Sequence, residues 1–261
     1  MTIQLRQICL VAEQLAPVID DLRQILGLEV CYIDPGVKVF GLENTLLPVG
    51  RNFIEVVAPI AENTAGGRYL QRRGGDGGYM VITQADTRQA QAAVRGQALE
   101  NGVRVAYEME RDGWNLCQLH PGDMIAAFLE VEWDQHEDLS GHWMPAGGTG
   151  WEDKVRQDVT QDIVGVELQG PEPLVLADLW ARVIGAEVQV VEGLPTLALN
   201  NAVLSFVEAV DGRGPGLSGL TLAVHDRDGI LNRAQARGRP VSGDRIDIGG
   251  VWFRLTSAGQ A

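Results

Sequence analysis

The chain is poor in cysteine, in basic residues and in long apolar runs, and each shortage excludes a class of protein. Its 261 residues include three cysteines, Cys9, Cys31 and Cys117. None forms a closely spaced pair, which argues against a disulfide framework or a zinc knuckle and makes a reducing cytoplasm the expected compartment. Lys and Arg together number 21 against 35 Asp and Glu, a formal charge of −14. A surface of that sign repels phosphate, so nucleic acid is not an expected partner. No uninterrupted apolar stretch approaches the ~18 residues of a membrane helix. The opening MTIQLRQICLVAEQL lacks a basic start, a clean apolar run and a cleavage site, so neither a membrane segment nor a signal peptide is expected. Gly74-Gly75-Asp76-Gly77-Gly78 lacks the Lys-Ser/Thr of a phosphate loop and reads as a flexible lead into a strand.

What is present is ordinary globular material: 45% apolar, 6% aromatic and 21% charged residues. A chain of this length makes one large domain or two ordinary ones and buries roughly 70–75% of its unfolded surface, so it needs no covalent staples.

The chain also repeats itself. Residues 5–30 (LRQICLVAEQLAPVIDDLRQILGLEV) align with residues 163–188 (IVGVELQGPEPLVLADLWARVIGAEV) at a constant offset. Ile8 meets Val166, Leu10 meets Leu168, Asp20 meets Asp178, Leu22 meets Trp180, Gly27 meets Gly185, and Glu29-Val30 meets Glu187-Val188. Each stretch reads as strand, amphipathic helix, glycine stop, strand. In the first helix Leu15, Val18, Ile19, Leu22, Ile25 and Leu26 fall at helical steps. Pro171 and Pro173 suit the start of the second. Further on, the acid-bearing strand 52–57 resembles 204–209, and 78–83 resembles 219–224. Helices are predicted over 86–101, capped by Asp86, and 228–237, capped by Asp228. The halves end in strands 127–131 and 251–255. Residues 134–160 read as a polar, Gly-rich linker whose Trp and Met residues pack down. The expectation is α+β, with two domains, 1–133 and 161–261, built from four related modules.

These segments resemble the vicinal oxygen chelate superfamily of glyoxalases, epimerases and extradiol dioxygenases. The first domain is most similar to methylmalonyl-CoA epimerase and glyoxalase I. Four stretches carry the likeness: Leu5-Arg6-Gln7-Ile8-Cys9-Leu10-Val11, Phe53-Ile54-Glu55-Val56-Val57-Ala58-Pro59, Gly75-Asp76-Gly77-Gly78-Tyr79-Met80-Val81, and His120-Pro121-Gly122-Asp123 with Glu130 ten residues after the histidine. The resemblance implies βαβββ modules wrapped into cupped mixed sheets with helices outside. It also implies one metal ligand from each of four strands, falling on Gln7, Glu55, Met80 and Glu130. Met80 stands where the family has His, which leaves Gln7, Glu55 and Glu130 as an oxygen-only set for a divalent ion of unassigned identity. Such a set suits a hard ion better than one that favours nitrogen. The second domain, with Gly165, Glu208, Thr221 and Arg254 at the equivalent positions, supplies no such set. Neither half supplies the two His and one Glu of an extradiol dioxygenase.

The function implied is an enzyme of epimerase, isomerase or lyase type acting on a small carbonyl or carboxylate compound. Glu55 and Glu130 would move the proton, as two carboxyls whose pKa values are raised in an apolar cup. Gln7, Tyr79, Met80, His120 and Arg72 are the candidate substrate contacts, the last from a cluster with Arg68 and Arg73. The alternative is a metal-free binding or sequestering protein of the same fold. Under either reading the partner is a small molecule. The resemblance leaves open a homodimer, and also a second domain that is purely structural.

Overall fold

A computed structural model describes residues 2–111 and 113–259. It is a mixed α+β structure with four modules, each opening on a long strand followed by a helix. Module one is β1 (Ile3–Val11), α1 (Leu15–Leu26), β2 (Leu42–Val49) and β3 (Asn52–Pro59). A short helix, α2 (Ala65–Arg73), leads out of it. Module two is β4 (Gly77–Ala85), α3 (Arg88–Glu100), β5 (Val105–Arg111), β6 (Trp114–Leu119) and β7 (Phe128–Asp134). Module three is β8 (Thr160–Gly170), α4 (Pro173–Ile184), β9 (Gln189–Val191), β10 (Leu194–Ala198) and β11 (Val203–Glu208). Module four is β12 (Gly216–Val224), α5 (Arg227–Ala236), β13 (Val241–Ser242), β14 (Arg245–Ile248) and β15 (Val251–Ser257).

Modules two to four share one strand order, in which the first strand neighbours the last and the middle strands follow outward: β4-β7-β6-β5, β8-β11-β10-β9 and β12-β15-β14-β13. The first pair is parallel in each, as the crossover through a helix requires, and the rest are antiparallel hairpins. Module one keeps the order β1-β3-β2, but its outermost strand is reduced to a single bridge between Tyr32 and Leu46. No described helix is long and apolar enough to cross a membrane.

By internal contacts the chain divides into two compact units. Among the described residues, one holds 2–7, 79–111, 113–144 and 165–217; the other holds 8–78, 145–164 and 218–259. The first unit thus gathers most of modules two and three, and the second most of modules one and four. This grouping runs across the sequence-order division at 133 and 161. The physical basis lies in the helices. In the first unit α3 packs on α4, and the Trp180 indole donates to the Met124 carbonyl at 3.0 Å. In the second, α1 packs on α5, and Asp21, buried on α1, holds Arg237 at 2.7 Å and Arg239 at 2.6 Å.

Local chemistry explains the element ends. The buried stripe Val18, Ile19, Leu22, Ile25, Leu26 makes α1 amphipathic, and Gly27 closes it at φ 73°, where its N–H reaches the Arg23 carbonyl. Pro173 opens α4 as expected. Two caps differ from the sequence reading. The α3 cap is Thr87, whose hydroxyl takes the Ala90 N–H, because Asp86 is engaged instead by the backbone N–H of Thr2. The α5 cap is Asp226, two residues before the expected Asp228, and its carboxylate takes the Gly229 N–H. The segment between β7 and β8 does pack down: Trp143 and Trp151 are buried, while Met144 stays partly exposed.

Candidate functional site

The richest concentration of buried polar chemistry lies in the first unit, on one face of module two. Strand alternation places Glu130, Glu132 and Asp134 of β7 on a single face, with Leu129 and Val131 on the other. Cross-strand register adds their neighbours. Gln118 of β6 sits opposite Glu130 and Leu116 opposite Glu132. On β4, Ile82 pairs with Glu130 and Gln84 with Glu132. Met80, two residues before Ile82, shares that face.

Glu130 and Glu132 are 4% and 1% exposed. Loss of solvent raises the Glu130 pKa above the ordinary carboxylate range, against the lowering effect of hydrogen bonds with Glu132 and Gln118. Glu132 is raised further. Burial is the main cause, and the Glu130 charge and hydrogen bond add to it, while the Trp114 indole N–H, 2.7 Å from Oε2, opposes it. Two carboxyls in hydrogen-bond contact away from water cannot both ionise, so the pair retains a proton. Next along, Asp134 meets the His142 ring at 3.0 Å, and His142 stacks on His136 at 4.1 Å.

The first half of β1 lies beside β4 in this unit and contributes Gln4, Arg6 and Gln7. Arg6 has no solvent exposure. Its guanidinium donates to the carbonyls of Leu139 and Gly141, the latter at 2.6 Å, and lies 5.3 Å from the Trp143 ring centre. The Gln4 amide also donates to the Leu139 carbonyl, and the Gln84 amide to that of Asp138 at 3.3 Å. Gln7 accepts the Trp143 indole N–H at 2.8 Å. The segment 138–143 thus runs as a strap over polar side chains of β1 and β4.

The site residues expected from the sequence are not all gathered here. Gln7, Met80 and Glu130 belong to this unit, and Met80 and Glu130 share a sheet face. Tyr79 is buried one residue away on β4, edge-on to Phe128 at 5.1 Å. His120 lies in a half-exposed turn after β6, where its Nδ1 takes the Gly122 N–H at 3.2 Å and meets the Arg104 guanidinium at 3.3 Å. Glu55 belongs to the other compact unit, buried on β3 beside Asn44, whose amide donates to Oε1 at 2.5 Å. Arg72 and Arg68 are exposed on α2 and Arg73 is buried. Of the second-domain positions, Glu208 is exposed at the end of β11. Arg254 is exposed on β15, beside Thr221 and Arg245 in the register.

As arranged, each oxygen donor of the expected set is already engaged by a protein group. Gln7 Oε1 already takes an indole N–H, Glu55 Oε1 takes an amide N–H, and the Glu130 carboxyl lies in an acid pair that favours its proton. Among the described residues no three His, Cys, Asp or Glu side chains gather as a metal site. Two surface hollows in this unit, of about 400 and 440 Å³, lie elsewhere. One is bordered by Ile184, Glu187 and Asn200, the other by Arg88, Arg111 and Trp133.

Sequence reasoning overlooked Arg6, Gln84, Glu132 and the strap. Glu132 was within reach, since acids two apart on a strand face the same way. The strap was not, because nothing in its composition says what it covers.

No protein-family model matches the chain. No curated protein matches it either. Solved structures do. A Mn(II)-bound glyoxalase from Novosphingobium aromaticivorans is similar over 97% of this chain and 81% of its own, with TM-score 0.69 and 14% identity. A hypothetical protein from Staphylococcus aureus is similar over 98% of this chain and 100% of its own, with TM-score 0.65 and 15% identity. A variant of 4-hydroxymandelate synthase from Streptomyces coelicolor is similar over 99% and 94%, with TM-score 0.66 and 14% identity. Over nearly its whole length, therefore, the chain has a glyoxalase-like fold, the fold of these solved structures.

Proposed function

We propose that the protein acts on a small carbonyl or carboxylate compound by metal-independent acid–base chemistry, with the Glu130–Glu132 pair as the proton-carrying group. The observation behind this is the pair itself: two buried carboxyls two residues apart on one strand face, both with raised pKa, on a strand of a fold shared with solved enzymes. A carboxyl with a raised pKa can donate to an oxygen on which negative charge develops, or take a proton from an adjacent carbon once ionised. The Arg6 guanidinium and the Gln4 and Gln84 amides supply donors of the kind an enolate or carboxylate needs. Glu55, in the other unit, is not assigned a part in this step.

The test is solvent deuterium incorporation beside the carbonyl of small acyl compounds and 2-oxo acids, followed by proton NMR. Wild type should incorporate deuterium, Glu130→Gln and Glu132→Gln should lose it, and added Mn²⁺ or a chelator should change nothing. Incorporation that persists in both variants would remove the pair from the reaction.

A second reading, binding without turnover, draws on the same donors. Gln4, Arg6 and Gln84 all bond carbonyl oxygens, which is recognition geometry whether or not chemistry follows. Saturable binding with no incorporation in any compound would favour it.

A further inference from the structure

We infer that residues 138–143 are a tethered occupant of a recognition site for acylated amino acids, which such a ligand must displace in order to bind. The inference rests on the reading above for the location of the site. It adds the ligand class and the means of access.

The strap shows what the site grips. Arg6, buried on a strand, offers two guanidinium nitrogens and spends them on two peptide carbonyls of one short segment, Leu139 and Gly141. A carboxylate matches that fork better than two separate amide oxygens, because both its oxygens lie in one plane and carry charge. Gln4 and Gln84 direct amide donors at the carbonyls of Leu139 and Asp138, which suits the amide oxygen of an acyl group. Gln84 Oε1 is buried and takes no hydrogen bond, so an acceptor remains for the ligand amide N–H once Gln84 adjusts. Carboxylate, amide carbonyl and amide N–H together describe an N-acylamino acid.

The strap keeps its own shape over residues 138–141, while His142 and Trp143 anchor its far end on Asp134 and Gln7. Asp138 holds it in shape from within, its Oδ1 accepting from the Ser140 and Gly141 N–H groups and the Ser140 hydroxyl. Glu137, which leads into it, has φ 50°, a left-handed backbone unfavourable for a non-glycine residue. A Cβ at Gly141 would stand 1.9 Å from Asp138 Oδ2, so a side chain there would push the Asp138 carboxylate aside. Residues 135–138 and 140 face solvent.

The experiment uses the full chain, with N-acetylglycine as probe and acetate and N-methylacetamide as its two halves. Binding is measured by calorimetry on wild type and Asp138→Ala, and strap opening by amide hydrogen exchange of residues 138–143. Releasing the strap raises the fraction of competent chains, so Asp138→Ala should bind N-acetylglycine about ten-fold tighter than wild type. Each half-probe should bind about ten-fold more weakly than the whole. Saturating N-acetylglycine should strip protection from the Ser140 and Gly141 amides of wild type. Arg6→Lys, checked for folding by urea titration, should lose binding, since an ammonium cannot form the fork. Equal affinity in wild type and Asp138→Ala, binding with the strap amides still protected, or no binding to either chain overturns the inference. Strap opening without deuterium at the α-carbon of N-acetylalanine upholds it while removing the proton-transfer reading; deuterium without strap opening does the reverse.

Discussion

Replacing Glu132 by Gln should make the protein's stability less sensitive to pH, in a direction that follows from burial. Both pair members have folded-state pKa values raised above the ordinary 4.5. Below that value the carboxyls are neutral in folded and unfolded chains alike, and their stabilising contribution is fully present. As pH rises, the unfolded chain ionises first while the folded chain keeps its protons, so stability is lost progressively until the folded pKa is passed. The loss is at most about 1.4 kcal/mol per pH unit for each retained proton. Gln at 132 keeps the shape, accepts the Trp114 indole N–H through its carbonyl, offers an amide N–H to Glu130 and carries no proton to lose. Urea unfolding of both chains at steps between about pH 4.5 and 7.5 should show curves that nearly meet at the acid end. They should diverge toward neutrality, with the variant the more stable. Glu132→Leu separates charge from hydrogen bonding. It also removes the titration, but it strands the indole N–H and should lie about 1–3 kcal/mol lower at every pH. A constant gap between wild type and Glu132→Gln across the range would mean that Glu132 ionises as freely folded as unfolded, and the acid-pair argument would be wrong.

Other expectations follow from single contacts. Trp143→Phe deletes the indole bond to Gln7 and should destabilise by about 1–3 kcal/mol, read as a shift in urea midpoint with unchanged slope; no shift would show that the strap is loosely held. Asp21→Ala leaves Arg237 and Arg239 without their shared carboxylate. Because both arginines are partly exposed, the loss should be about 1–3 kcal/mol rather than that of a fully buried pair, measured by thermal melting. Burial pushes the Cys31 thiol up to about 12 and Cys117 to about 11. Neither should react with a thiol reagent at neutral pH until the chain is unfolded, and rapid native labelling at either site would contradict the packing. Added Mn²⁺ or Mg²⁺ should leave the melting temperature unchanged; a saturable rise would show that the oxygen donors can reorganise into a ligand set.

Repetition and period were legible in the sequence. The offset alignment of 5–30 with 163–188 marked related modules because each must rebuild the same strand, helix and glycine stop, and those local choices are set by residues near one another in the chain. Helix α1 shows this well, since its stripe and its Gly27 stop need no distant partner. The caps were less secure. Asp86 and Thr87 are equally good candidates by type, and a long-range bond from Thr2 decided between them.

The chain alone thus determined which modules form, and put Gln7, Glu55 and Glu130 on strands. Only the tertiary structure decided what those side chains meet. It set Glu55 in a different compact unit from Glu130, placed Glu130 and Glu132 on one buried face, engaged Gln7 with Trp143, and brought the carbonyls of Leu139 and Gly141 to Arg6. Those outcomes depend on pairing across strands and on a segment more than 130 residues away in sequence from Gln4 and Arg6. Local periodicity carries no information about such partners, because burial and hydrogen bonding are properties of the packed chain rather than of any window along it.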